Sequence, residues 1–245
     1  MTHKTKGLVI RTVKYGETSI IVHIFTELFG IQSYLVNGVR ASSKKNPGKA
    51  NMFQPGALLD LVVYHNDLSN LQRIKDYQWA VLYKQLFYDV VKNAVVLFLV
   101  ELLQKTVKQP EANSELFEFL EDALLHLDEA GKEIIANYPL FISLQLPGFF
   151  GFRISNRYTA SRDILELKEG EFVADRPLHP YFLEGEPSFY TSELLKVQHP
   201  AELAEVKINA HNRRQMLQAY QVFFALHVPD FGTMKTLPVL QAVLS

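Results

Sequence analysis

The chain contains no cysteine, which excludes disulfides, thiolate chemistry and every Cys-ligated metal site. Long apolar runs are also missing. The longest, residues 94–100, spans seven residues, far short of the about 20 that carry a helix across a bilayer. The N-terminus, Met1-Thr-His-Lys-Thr-Lys-Gly7, starts basic but lacks the apolar stretch of an export signal. The expectation is therefore a cytoplasmic protein with no membrane contact. Phosphate-loop, dinucleotide-fingerprint and nucleophile-elbow patterns are all absent, which argues against nucleotide hydrolysis, dinucleotide redox chemistry and serine hydrolysis. The eight histidines are scattered, with no i, i+4 pair around a glutamate, so no metal site and no cofactor are expected. A hydrolase in the C-terminal part would need a polar constellation that these residues do not supply. The acidic clusters Glu115/Glu118/Glu121/Asp122 and Glu166/Glu169/Glu171 read as solvated surface.

The 245 residues, 48% of them apolar, suffice for one large domain or two smaller ones, and two are expected. The formal charge of −1 hides an asymmetry. Residues 1–79 carry ten Lys/Arg against five Asp/Glu, a surplus of +5, whereas the remainder carries −6. Such a division suggests that the first part faces a polyanion.

Five short β-rich runs fill about the first 76 residues: 7–14, 19–26, 30–37, 57–64 and 71–76. They are separated by the Tyr15-Gly16-Glu17 turn, by a long Gly/Pro/Asn/Ser-rich loop over 38–55 and by the turn-like segment 65–70. Five strands at this spacing match a small OB-like barrel better than a sandwich, which needs about seven. From Trp79 the apolar period changes to about 3.6, and the expectation is a helical bundle. Asn113-Ser114 reads as an N-cap, a helix is predicted over 132–146, and Asn209 opens another that Pro229 stops. Between 155 and 190 the pattern weakens into two short β-like pieces. The predicted class is thus α+β, divided as 1–78 barrel, 79–154 with 191–245 helical domain, and 155–190 a small β insertion.

The loop after the third strand holds Arg40, Lys44, Lys45 and Lys49. Cations on flexible backbone beside a barrel can follow a phosphate chain without demanding a base sequence. Arg11, Lys14, Arg73 and Lys75 add charge on the strands, and Tyr15, Tyr34, Phe53 and Tyr64 are the candidate stacking rings. In the helical part, Val95/Phe98/Leu102 and Tyr220/Phe223/Phe224 are expected either to pack the core or to line a partner groove, with Arg213 and Arg214 as charge partners. The partner-binding set is thus Arg213, Arg214, Tyr220 and Phe224.

Gly7-Leu-Val-Ile-Arg-Thr12, Tyr15-Gly-Glu-Thr-Ser-Ile-Ile21, Phe25-Thr-Glu-Leu-Phe-Gly30, Asn37-Gly-Val-Arg40 and Phe53-Gln-Pro55 resemble, in order and spacing, the N-terminal barrel of the RecO family of bacterial DNA repair proteins. Tyr220, His227, Pro229, Phe231-Gly232 and Lys235-Thr-Leu-Pro-Val-Leu240 resemble that family's closing helices. The resemblance implies an OB fold followed by a helical domain with a zinc-ribbon-like insertion. It also implies a non-catalytic recombination mediator that binds single- and double-stranded DNA and anneals complementary strands. Its implied partners are RecR and single-stranded DNA-binding protein, and through them RecA, which it helps to load; its implied location is the nucleoid. The chain departs from the family in two places. The four cysteines that often hold zinc in the insertion are missing, so no zinc is expected. Ala41-Ser42-Ser43 also intervenes before Lys44-Lys45, where the family often has a denser basic run. A rival expectation is a protein–protein adaptor whose barrel binds polypeptide, because an OB-like fold does not fix its ligand.

Overall fold

Alternating apolar residues build the N-terminal part as five strands: β1 (Thr2–Tyr15), β2 (Ser19–Thr26), β3 (Gly30–Val36), β4 (Leu58–Tyr64) and β5 (Gln72–Trp79). They close into a barrel in the order β1-β2-β3-β5-β4, antiparallel throughout except for β3 beside β5. This computed structural model describes residues 1–40, 49–108 and 111–244. Val9, Val22, Ile24, Tyr34, Leu59, Leu61 and Val63 fill the interior. Gly7 must lack a side chain, since a Cβ there would stand 2.5 Å from Ile24 Cγ2 and 2.8 Å from Leu61 Cδ1.

A bulge sits in β1 between Val9 and Arg11. Val9 pairs with Ile24 and Arg11 with His23, leaving Ile10 unpaired. Without that extra residue Arg11 would face Val22, an interior position; with it, Arg11 joins the outer face. The bulge also explains why three successive residues, Leu8, Val9 and Ile10, are all buried.

The helical expectation from Trp79 onward is corrected. Trp79 ends β5, residues 80–89 are irregular, and the first helix, α1, is Val90–Thr106. Asp89 sets that start, because its carboxylate accepts the amides of Val91 and Lys92 at 2.8 and 2.9 Å. Asn113 caps α2 (Ser114–Glu129) through Leu116 N at 2.9 Å. The following helices are α3 (Lys132–Gln145), α4 (Glu186–Leu194), α5 (Ala210–His227) and α6 (Thr236–Val243). Between α3 and α4 lies a three-stranded antiparallel sheet of β6 (Ile164–Glu166), β7 (Glu171–Val173) and β8 (Phe182–Leu183), ordered β7-β6-β8.

Two compact units result. The first is Met1–Lys84 with Leu103–Leu125, and the second is Gln85–Leu102 with His126–Ser245. Within the first, α2 covers part of the barrel's outer wall. Phe117 meets Phe25 with ring centroids 5.9 Å apart, and Glu121 pairs with Lys6 Nζ at 2.8 Å. Within the second, α3 is buried almost all round from Ile135 to Leu144 and packs against α4 and α5, as expected of a helix with apolar residues on every face.

Candidate nucleic-acid interface

Register places two rows of side chains on the outer face of the barrel. Tyr64 pairs with Arg73, Arg73 with Leu35, Leu35 with Ile21 and Ile21 with Val13, making one continuous cross-strand row. Two residues along, Ser33 pairs with His23 and His23 with Arg11. Tyr64 is 46% exposed and Val13 44%. The face thus offers an aromatic ring, three aliphatic residues and two guanidinium groups on rigid strands. Such a mixture can hold phosphates with its cations and base surfaces with its apolar part.

The second row is hydrogen-bonded from end to end. Arg11 Nη2 lies 3.0 Å from His23 Nε2, and His23 Nδ1 lies 3.0 Å from Ser33 Oγ. A guanidinium has only donors, so Nε2 is the acceptor and Nδ1 carries the hydrogen that is donated to Ser33. Partial burial pushes the His23 pKa below its ordinary value, and the Arg11 charge lowers it further. Neutral His23 therefore orients Arg11.

Arg40 reaches the same barrel by another route. Its amide donates to Thr18 O at 2.9 Å and its Nη1 to Gly16 O at 3.2 Å, which ties the exit of β3 to the β1–β2 turn. Ser19 Oγ, donating to Asn37 Oδ1 at 3.1 Å, adds a second tie. Gly16 takes φ +60° in that turn, a conformation that favours glycine. Lys14 pairs with Ile20, so it lies on the side of the hairpin opposite Arg11. Lys49 begins a short 3-10 helix, Lys49–Phe53, and Lys44 and Lys45 fall outside the described residues.

Of the four rings expected to stack, Tyr15 and Tyr64 are exposed, whereas Tyr34 and Phe53 are in the core. Burial raises the Tyr34 phenol to about 12, and Phe53 packs on Tyr77 with centroids 4.8 Å apart. Sequence reasoning missed His23 and Ser33, which become neighbours of Arg11 only through register. It also missed the aliphatic row, whose members lie far apart in the chain.

The partner groove expected in the helical part is corrected. Tyr220 and Phe224 are each 1% exposed, and Val95, Phe98 and Leu102 are also buried. The Tyr220 hydroxyl meets Thr191 Oγ1 at 2.8 Å, and burial raises its pKa. These side chains lie on the inward faces of their helices and fill the core. Arg213 is turned inward: its guanidinium donates to Ile208 O and, at 3.3 Å, to Leu244 O, and burial lowers its pKa. Arg214 is exposed.

The insertion's donor set does not fit a zinc ion. It has no cysteine, and among the described residues no three His, Cys, Asp or Glu side chains converge as ligands. Its strands are held instead by packing and by one carboxylate. Leu165, Leu167 and Phe172 are buried. Glu166 accepts the amides of Lys168 and Glu169 at 2.7 and 2.8 Å and lies 3.0 Å from His179 Nε2.

Residues 1–83 match the family model described as "Recombination protein O N terminal", and residues 88–161 match "Recombination protein O C terminal". Among curated proteins, the chain is 31% identical over 242 residues to the DNA repair protein RecO of Bacteroides fragilis, covering 98% of both chains. It is 31% identical over 255 residues to that of Flavobacterium psychrophilum and 29% identical over 245 residues to that of Phocaeicola vulgatus, in both cases across 100% of each chain. Among the described residues no helix is long and apolar enough to cross a membrane.

Proposed function

Because this chain belongs to the recombination protein O family of DNA repair proteins, with a general role in recombination repair, we propose that it acts as a non-catalytic mediator that binds single- and double-stranded DNA and anneals complementary strands. It works with RecR on DNA coated by single-stranded DNA-binding protein, assists RecA loading, needs no cofactor, and resides in the cytoplasm at the nucleoid. The observation that supports this reading is the outer barrel face, where Arg11 and Arg73 stand among Tyr64, Leu35, Ile21 and Val13 in two aligned rows. Annealing requires two polyanions to approach while their bases stay free to pair. A few fixed guanidiniums neutralise phosphates, and a face with few exposed rings holds bases weakly enough to release them.

Residues 1–78 carry the DNA contact, supplemented by Lys14, Arg40, Lys44, Lys45 and Lys49. Residues 79–154 and 191–245 form the partner-binding part, with 155–190 as its insertion. Of the pair Arg213 and Arg214, Arg214 is exposed and open to an acidic partner.

The test is annealing of complementary oligonucleotides with the wild type and with Arg11→Glu plus Arg73→Glu. Expected is acceleration by the wild type and loss of most of it in the double variant. Equal rates with and without the wild-type protein would sink the proposal. The aliphatic row Val13-Ile21-Leu35 favours a second reading, a barrel that docks polypeptide. Under that reading the same double variant retains partner binding and the wild type has no DNA affinity to lose.

A further inference from the structure

At one end of the barrel a cavity of about 430 Å³ opens between the β2–β3 turn and the β4–β5 loop, lined among others by Phe29, Gln32, Ser33, His65, Asn66 and Asn70. We propose that this cavity receives an unpaired nucleobase of single-stranded DNA whose phosphates lie on Arg11. The inference rests on the DNA-binding reading above and adds to it a subsite that tells single strand from duplex.

The chemistry of the lining selects an uncharged heterocycle. Among the described residues no lysine or arginine borders the cavity, which leaves no positive charge there to neutralise a phosphate. Its carboxylate, Asp67, is already paired with His65 Nε2 at 2.8 Å. One part of the lining is aromatic: His65 stacks on Phe29 with centroids 3.9 Å apart and planes 14° from parallel, and His3, outside the lining, meets Phe29 edge-on at 5.3 Å. Rings of this kind supply a stacking surface that accepts any base.

The remaining polar groups present donors and acceptors together. Asn70 makes no side-chain hydrogen bond among the described residues, and Gln32 uses only its amide nitrogen, on Phe29 O at 2.8 Å. Asn66 uses only its side-chain oxygen, which accepts from Leu68 N at 3.0 Å. Facing the Asp67 carboxylate, His65 donates through Nε2. The Nδ1 of the same ring is buried and without a partner among the described residues. An unpaired base shows both donors and acceptors on its Watson–Crick edge, and pairing in a duplex hides that edge.

The site is pre-organised. Gln72, buried beneath the β4–β5 loop, accepts from Asn66 N at 3.1 Å and donates to Asn66 O and Ser69 O at 2.8 and 2.6 Å. The loop therefore forfeits little freedom on binding. The cavity is also continuous with the cationic face. Ser33 lines it and ends the Arg11–His23–Ser33 row, which places Arg11 two strand spacings away, about 10 Å. A chain held at Arg11 by phosphate can lay a neighbouring base in the cavity.

The experiment is photocross-linking of a single-stranded oligonucleotide carrying 5-iodouracil, with peptide mapping, alongside affinities of the wild type and Gln32→Leu plus Asn70→Leu for single strand and duplex. Melting of the variant is checked first, and either single substitution replaces the pair if folding fails. Expected are cross-links to peptides containing Phe29 or His65, and an affinity loss for single strand of about fivefold or more in the variant with duplex binding unchanged. Cross-links confined to Tyr15 or Tyr64, or a variant that binds single strand like the wild type, would overturn the inference while leaving DNA binding intact. Failure of the wild type to bind either DNA form would overturn the underlying reading as well.

Discussion

At His23, burial and the neighbouring Arg11 charge together set the titration. The Arg11 guanidinium donates to Nε2, so the imidazole must be neutral to accept it. Its pKa is lowered by burial first and by Arg11 second. With a folded value below the unfolded one of about 6.5, the arrangement's stability is fully present above that unfolded value. It is lost as pH falls through the folded one. Replacing Arg11 with Ala should move the His23 pKa upward, but only part of the way to its ordinary value, because burial remains. NMR titration of the ring protons measures this, and an unmoved pKa would mean that the pair does not persist in solution. Arg11 was legible in the sequence as a cation on a β-rich run; its partner was not, since residues 11 and 23 meet only across the hairpin. Tyr34 and Tyr220 were misplaced for a related reason, as a tyrosine in an apolar run looks the same whether it stacks on a ligand or fills a core.

Among the elements, period-two and 3.6-residue patterns made the five strands and most helices readable. Three features resisted. The bulge at Ile10 has no local mark, because Leu8-Val9-Ile10 reads as an ordinary strand. The irregular segment 80–89 carries helical spacing yet stays unwound, and its hydrogen bonds explain why. The Asp128 carboxylate takes the amides of Gln85 and Leu86 at 2.8 and 2.7 Å, and Lys92, 2% exposed, donates to Gln85 Oε1 and Asp128 O at 2.9 and 2.6 Å. A carboxylate some forty residues away thus outcompetes a helical turn. Asp128→Ala should destabilise the protein by about 3 kcal/mol, given two lost charge-assisted bonds and two amides left bare, read from urea unfolding; a change below about 0.5 kcal/mol would contradict this, being the size of an ordinary surface substitution. The third feature is what holds the insertion: its β pieces were readable, but not that Glu166 gathers two amides and His179. Glu166→Ala should speed amide exchange over 164–183 while barrel amides keep their rates, and a chelator should leave the wild-type melting temperature unchanged. Chelator-induced melting would point to a metal that these donors do not suggest.

For the whole molecule, the division of charge into +5 over residues 1–79 and −6 over the rest was the sequence's clearest functional signal, and the outer face of the barrel gives it a location. The strand cations are dispersed: Arg11 and Arg73 stand on that face, and Lys14 lies on the other side of its hairpin from Arg11. Under the annealing role proposed above, a contact spread in this way suits release of the strands that are brought together. The measurement that tests this most directly is fluorescence anisotropy of a labelled single strand at several salt concentrations. With about four phosphates neutralised, log K should fall against log salt with a slope near −3, and Arg11→Ala plus Arg73→Ala should reduce its magnitude by about 1.4. A slope near zero, or one that the double substitution leaves untouched, would contradict an electrostatic DNA contact on this face of the barrel.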